Sequence, residues 1–192
     1  MSDEWDRRAA TFDDEPDHGL RDPLVRDAWA RLLTSVLPEP PATIADLGCG
    51  TGSLSILLAS AGHDVHGLDL SPRMLDHAVR KAAQAAVTAT FRQGDAAQPP
   101  FAPGAYDVVL ARHVLWALPD PSAALAGWIA LLRPGGRLVL VEGRWTTGAG
   151  LSAAECTALV ERQRRAADVR LLNDDALWGR RITDERYLLV SR

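Results

Sequence analysis

Cysteine is nearly missing from this 192-residue chain: there are two, Cys49 and Cys156. They lie far apart with no Cys-x-x-Cys spacing, which argues against a disulfide framework or a zinc site and predicts no bound metal. Also missing is any apolar run long enough to cross a bilayer. The polar start from Ser2 to Arg8 has no apolar signal core, so a cytoplasmic location is expected, with neither export nor membrane insertion. An excess of positive charge is lacking as well. Lys and Arg number 21 against 25 Asp and Glu, a formal net charge of -4, so the field that nucleic-acid binders present to phosphates is absent. A small-molecule partner is favoured over RNA or DNA. There is no internal repeat and no low-complexity run beyond Pro38 to Pro41 and the alanines around Ala82 to Ala86.

What is present is the mixture of a globular protein, 47% hydrophobic and 24% charged. The length suits one core and one domain spanning 1–192. Two helical candidates, Asp3 to Phe12 and Pro23 to Leu37, flank an acidic turn from Asp13 to Gly19. Short apolar runs then alternate with helical stretches. Strands are read at Ile44 to Leu47, Val65 to Leu70, Thr88 to Gln93, Tyr106 to Ala111 and Gly136 to Glu142. Helices are read at Ser53 to Ala61, from Pro72 (with Ser71 as N-cap) to Ala86, and at Pro121 to Leu132, the last ended by Pro134-Gly135-Gly136. Beyond Glu142 a polar helix near Ser152 to Ala166 precedes strands near Val169 to Trp178 and Tyr187 to Ser191, an antiparallel pair at one edge. Strand-helix alternation with right-handed crossovers gives an α/β, doubly wound sheet.

The loop after the first strand reads Asp46-Leu47-Gly48-Cys49-Gly50-Thr51-Gly52. Glycines there let the backbone approach a ligand closely at a helix N-terminus. A P-loop needs Lys-Ser or Lys-Thr after its last glycine, whereas Ser53-Leu54 follows Gly52, so triphosphate binding is rejected. A dinucleotide fingerprint would place its third glycine at position 53, and here it stands at Gly52, which weakens an NAD reading. Asp69 ends the second strand, where a carboxylate can accept from both hydroxyls of a cofactor ribose. Asp95, in Gly94-Asp95-Ala96 after the third strand, suits an adenine amine. Together the two carboxylates favour a nucleoside without a pyrophosphate.

This series, with Tyr106-Asp107-Val108-Val109-Leu110 and Leu132-Arg133-Pro134-Gly135-Gly136-Arg137-Leu138, resembles the class I S-adenosylmethionine-dependent methyltransferases, in the family's order and over most of the chain. The resemblance implies a Rossmann-like, seven-stranded, mostly parallel sheet with an antiparallel edge strand and helices on both faces. It implies a helical cap at 1–40, a cofactor-binding core at 41–142, and a substrate-site loop, helix and edge strands at 143–192. It also implies S-adenosyl-L-methionine as methyl donor, with S-adenosyl-L-homocysteine as product. Gly48, Cys49, Gly50 and Gly52 would line the methionine moiety and Asp46 would order the loop. Asp69 would hold the ribose, Leu70 and Met74 would flank adenine, and Asp95 with Ala96 would take its amine. Ala111 and Arg112 would sit beside the cofactor. Upstream, Trp5-Asp6 and Phe12-Asp13 are similar to paired aromatic-Asp signatures that cover the cofactor in small-molecule members. Those members usually carry tyrosine, so Trp5 and Phe12 would contribute packing and cation-π contact without a hydroxyl.

Methyl transfer from a sulfonium asks mainly for alignment, and for a base where the acceptor is a hydroxyl or ammonium. His113, just past the fourth strand, ranks first as that base against a purely structural reading; His18, in the acidic turn with Asp17, ranks second. The acceptor site would take Trp116, Trp145 and Arg144, with Asp17 attracting an amine. His63, His66 and His77 read as structural or surface residues. Two other classes stay open: an NAD-dependent oxidoreductase, for which no proton-relay residue is found, and an S-adenosylmethionine-binding protein without catalysis.

Overall fold

The computed structural model describes residues 2–192; the first residue of the 1–40 cap lies outside them, and the side chain of Ser2 is not described. Four strands, β1 (Thr43–Leu47), β2 (Asp64–Asp69), β3 (Thr90–Gln93) and β4 (Tyr106–Arg112), run parallel with β5 (Leu132–Arg144). β6 (Ala167–Leu171) and β7 (Glu185–Ser191) complete the sheet in the order β3-β2-β1-β4-β5-β7-β6. β7 is antiparallel to both of its neighbours. It therefore presents its beginning, Glu185 and Arg186, at the edge where β1 to β5 end. The sheet is doubly wound and Rossmann-like, with the strand order reversing between β1 and β4.

Three helices start the same way. Asp22-Pro23, Ser71-Pro72 and Asp120-Pro121 open α3 (Pro23–Thr34), α5 (Pro72–Gln84) and α6 (Pro121–Leu131). In each the capping oxygen accepts a backbone amide, and proline occupies a position whose N–H has no helical partner. α4 (Ser53–Ser60) starts from the glycine loop, and α7 (Ala153–Glu161) from a reciprocal Ser152/Glu155 capping box. α1 (Ser2–Arg8), a 3-10 turn at Phe12–Asp14 and the short α2 (Pro16–Gly19) precede them. The acidic turn expected at Asp13 to Gly19 is thus mostly helical, because Pro16 starts a turn that the left-handed Leu20 closes.

One apolar layer packs α3 and α4 against the sheet around Trp29, Trp178 and Ile44; the other packs α6 and α7 around Trp128, Leu125 and Tyr187. At roughly 2–3 kcal/mol for each fully buried large side chain, these layers supply the main drive to fold. Several boundaries differ from the sequence reading: the first helix ends at Arg8, β3 begins at Thr90 and α7 ends at Glu161, and two further differences change the type or end of an element. Pro134-Gly135-Gly136 does not end α6, which stops at Leu131; β5 begins at Leu132, and the register to β4 jumps from Tyr106↔Leu132 to Val108↔Arg137. The segment read as strand to Trp178 is β6 to Leu171 and then α8 (Asp175–Trp178), capped by Asp174. Among the described residues no helix is long and apolar enough to cross a membrane, and no cluster of His, Cys, Asp or Glu is arranged to hold a metal ion.

Candidate active site

A cavity of about 570 Å³ opens at the carboxyl edge of the parallel strands, of a size that suits a small molecule. Its floor is the glycine loop. The amides of Gly48 and Cys49 both donate to Leu68 O, at 2.7 and 2.9 Å, which ties the loop to the end of β2. Gly48 has φ +69, and a Cβ there would lie 2.4 Å from Val114. A side chain would therefore be strained twice over. Gly50, at φ +56, lies under the Phe12 ring.

Asp69 receives a backbone N–H on each carboxylate oxygen, from Gly50 at 2.8 Å and Ser71 at 2.9 Å. Each oxygen keeps lone pairs for a ligand, in a fixed orientation. Burial raises its pKa, and the two amides work against that rise. Asp46 lies deeper, accepting from Ser55 Oγ, and burial pushes its carboxyl up to about 6. Asp95 uses one oxygen on Ala97 N at 2.8 Å. Leu70, Met74 and Ala96 complete this end with the Cys49 thiol, which burial and the neighbouring Asp46 and Asp69 keep protonated.

The aromatic roof is held down by the aspartates of its own two dipeptides. Asp6 accepts from Ser71 Oγ, at the start of α5, which keeps Trp5 over the cavity. Asp13 accepts from Thr51 Oγ1 and from Lys81 Nζ, the latter at 2.8 Å. Lys81 also donates to Ser53 Oγ at 2.6 Å and Thr51 Oγ1 at 3.2 Å. Phe12, next to Asp13, stacks on His18 with ring centroids 4.3 Å apart.

At the other end stand His113, Trp116 and Trp145, the two indoles 5.0 Å apart and the imidazole 5.3 Å from Trp145. His113 is in the left-handed region at φ 58. The turn is held because His113 N donates to Val141 O, while Val114 N and Leu115 N both donate to one oxygen of Glu142, at 3.0 and 2.8 Å. Burial pushes the Glu142 carboxyl up to about 8, and its second oxygen has no partner. Burial, then the positive charges of Arg112 and Arg186, hold His113 well below the usual histidine range. His18 is lowered for the same first reason and lies 3.6 Å from Asp17. Arg112 spans the middle, donating to Asp17 O, with its guanidinium over the Trp29 ring.

Three expected site residues fall outside the cavity. Ala111 is wholly buried in the α6 layer. Gly52 faces Ala78 and Phe91, where a Cβ would collide with them. Arg144 is exposed and pairs with Glu155 at 3.1 Å. Beside the expected Arg112, the cationic lining comes from Arg8, Arg180 and above all Arg186, which sequence reasoning missed together with Thr11, Glu15, Leu54, Val114, Ala117 and Leu118. No local motif marks Arg186, because only the reversed direction of β7 carries the strand's first residues to this edge.

The methyltransferase-domain model matches residues 45–140. Demethylmenaquinone methyltransferase of Thermus thermophilus is 37% identical over 117 residues, covering 59% of this chain and 53% of that protein. Nocamycin O-methyltransferase of Saccharothrix syringae is 35% identical over 140 residues, covering 71% and 48%. The chain therefore spans about half the length of these curated relatives. The structure of magnesium protoporphyrin IX methyltransferase from Synechocystis with bound S-adenosylmethionine superposes with a TM-score of 0.69 at 28% identity, covering 87% of this chain and 77% of that one. With the family model matching half of its length, the chain belongs to the methyltransferase-domain family.

Proposed function

We propose that the protein transfers a methyl group from S-adenosylmethionine to a small-molecule acceptor by in-line displacement. One observation carries this reading: a single cavity joins a glycine loop and a doubly amide-fixed Asp69 to a wall of histidine and tryptophan. The donor fits the residues present, since Asp69 keeps lone pairs for two ribose hydroxyls and Asp95 keeps an oxygen for an adenine amine. When bound, S-adenosylmethionine supplies a methyl group already activated on a positive sulfur.

The protein's own work is alignment and exclusion of water. Leu70 and Met74 would flank the adenine, and Gly48, Cys49 and Gly50 would line the methionine portion. Asp46, its carboxyl pushed up to about 6 by burial, would order the loop and polarise the surroundings of the ammonium. Trp5 and Phe12 close over the donor, and Trp116 and Trp145 orient the acceptor. His113 and His18, whose basicity burial lowers, are the histidines that line the cavity and the candidates to take a proton from a hydroxyl or ammonium acceptor. The names of the Thermus and Saccharothrix relatives are those of enzymes acting on small molecules, and the net charge of -4 points the same way.

Calorimetric titration with S-adenosylmethionine, S-adenosylhomocysteine and NAD, run side by side, tests the reading. Micromolar binding of the first two with none of the third is expected. Binding of NAD alone would mean that Asp69 holds a nicotinamide cofactor, and the methyl-transfer reading would fall.

A further inference from the structure

The acceptor end of the cavity contains an arginine built in with unusual care. Arg186 is 11% exposed in its side chain and is held side-on by Asp184, Nε donating at 3.0 Å and Nη2 at 2.9 Å. Its guanidinium lies 5.2 Å from the Trp145 ring and 5.0 Å from the Trp178 ring. Trp178 is fixed in turn by an edge contact with Trp29 and by donation to Leu172 O at 2.9 Å.

A guanidinium has five N–H donors. Asp184 takes two, and Nη1 has one long contact, 3.4 Å, with His113 Nε2. The remaining donors lie along the Nη1/Nη2 end, a fork that matches the two oxygens of a carboxylate. An arginine this far from water, with donors left over in a ligand-sized cavity, is arranged for a ligand group and not for solvent.

We propose that Arg186 binds the methyl acceptor, and that the acceptor is a carboxylate carried on a planar, conjugated ring. The inference rests on the methyl-transfer reading and adds the acceptor class. The walls favour a flat ligand: Trp116 and Trp145 both line this end, packed on each other at 5.0 Å with their planes inclined by 58°, and a planar π-system can stack on the aromatic surface they turn to the cavity. The negative charge follows from what faces it. Arg112 and Arg186 both oppose protonation of His113; Asp184 balances the charge of Arg186 but leaves the donors at its Nη1/Nη2 end facing the cavity. Glu15, the acidic residue at the rim, is paired with Arg180 at 3.0 Å, and Asp17 lies beside Arg112 and His18. None of these carboxylates stands alone to repel an anion.

The test uses the full chain saturated with S-adenosylhomocysteine and three probes on one ring: 2-naphthoate, the neutral 2-naphthamide and 2-naphthylmethylammonium. Naphthoate is expected to bind at least tenfold tighter than the amide. Arg186→Gln is expected to erase that preference while leaving S-adenosylhomocysteine affinity within twofold. Equal binding of acid and amide, tighter binding of the ammonium, or no binding of any probe overturns the proposal. So does a preference that survives in Arg186→Gln. A fall in S-adenosylhomocysteine affinity in that variant would assign Arg186 to the donor's own carboxylate and overturn it as well. If the Gln variant does not fold, Arg186→Lys reads the residue, since it keeps the charge without the fork; at least fivefold weaker naphthoate binding is expected, and unchanged binding overturns the proposal. Failure of the wild-type protein to bind S-adenosylhomocysteine appears before any probe is added and counts against the methyl-transfer reading itself.

Discussion

Of the 21 Lys and Arg residues only one, Lys81, is lysine, and its place explains the choice. An ammonium carries three donors on one compact nitrogen, and Lys81 spends them on Asp13, Thr51 and Ser53 within 3.2 Å. A planar guanidinium cannot converge on three oxygens around one point. Lys81→Met leaves Asp13 buried beside Thr51 without its cation, and breaking such a pair costs about 3–5 kcal/mol when both partners are shielded. The expected outcome by calorimetry is a roughly tenfold loss of S-adenosylhomocysteine affinity, with Lys81→Arg failing to restore it. Asp69→Ala should weaken S-adenosylmethionine binding by about tenfold or more, since charged hydrogen bonds of this kind contribute ~1.5–3 kcal/mol. Asp46 adds a pH dependence: with its carboxyl at about 6, donor affinity should fall as pH drops through that value, and Asp46→Asn should flatten the profile. An affinity indifferent to pH in the wild type would remove Asp46 from the ammonium. His113→Ala is expected to lower turnover while leaving donor affinity intact; unchanged turnover would remove it as base.

At the scale of elements, α3 is built into the core, whereas α1 and the 3-10 turn at Phe12–Asp14 are tied down by few contacts of high specificity. α1 is fixed at the start of α5 through Asp6 and Ser71, and the 3-10 turn at the start of α4 through Asp13 and Thr51. Each tether ends at a helix N-terminus that itself borders the cavity. Asp6→Ala should therefore raise the rate of S-adenosylhomocysteine release severalfold in stopped-flow measurements, with a change in Tm of less than about 2 °C, because the α1 contact is peripheral to both apolar layers. A large drop in Tm with unchanged release would show that α1 serves stability and not the site. The loop between β4 and α6 is the converse case. Its left-handed His113 depends on a buried carboxylate from a neighbouring strand, so the position of the candidate base is set by Glu142 and not by its own segment.

For the whole molecule, Glu142 is also a lever on stability. Its ordinary value is 4.5 and burial raises it to about 8 in the folded state. A raised carboxyl stabilises the fold fully below the unfolded value, and that contribution is lost as pH rises through the folded one. Wild-type Tm should thus decline between about pH 4.5 and 8 by more than that of Glu142→Gln, which keeps an acceptor for Val114 and Leu115 and cannot ionise. A difference on the order of 10 °C opening across that interval is expected in thermal scans. Parallel profiles would show that Glu142 does not titrate in this window.

The sequence by itself determined the alternation of strands and helices, their Ser-Pro and Asp-Pro starts, the glycine loop, and Asp69 and Asp95 at strand ends. These are local signals: period, cap chemistry and a turn that tolerates little but glycine report on neighbours a few residues away. Gly52, Ala111 and Arg144, expected at the site, do not line the cavity, because which face a loop residue or strand-end residue presents depends on what packs against it. Nothing in the sequence marked Arg186, Arg180 or Glu142 as parts of the site. Those were decided only in three dimensions: the antiparallel insertion of β7 beside β5 delivers Arg186 to the edge at which β5 ends, and the pairing of β5 with β4 brings Glu142 under the Val114 and Leu115 amides. The donor end was legible because one βα unit and two strand ends build most of it. The acceptor end was not, because its groups come from four segments that meet only when the sheet closes its order.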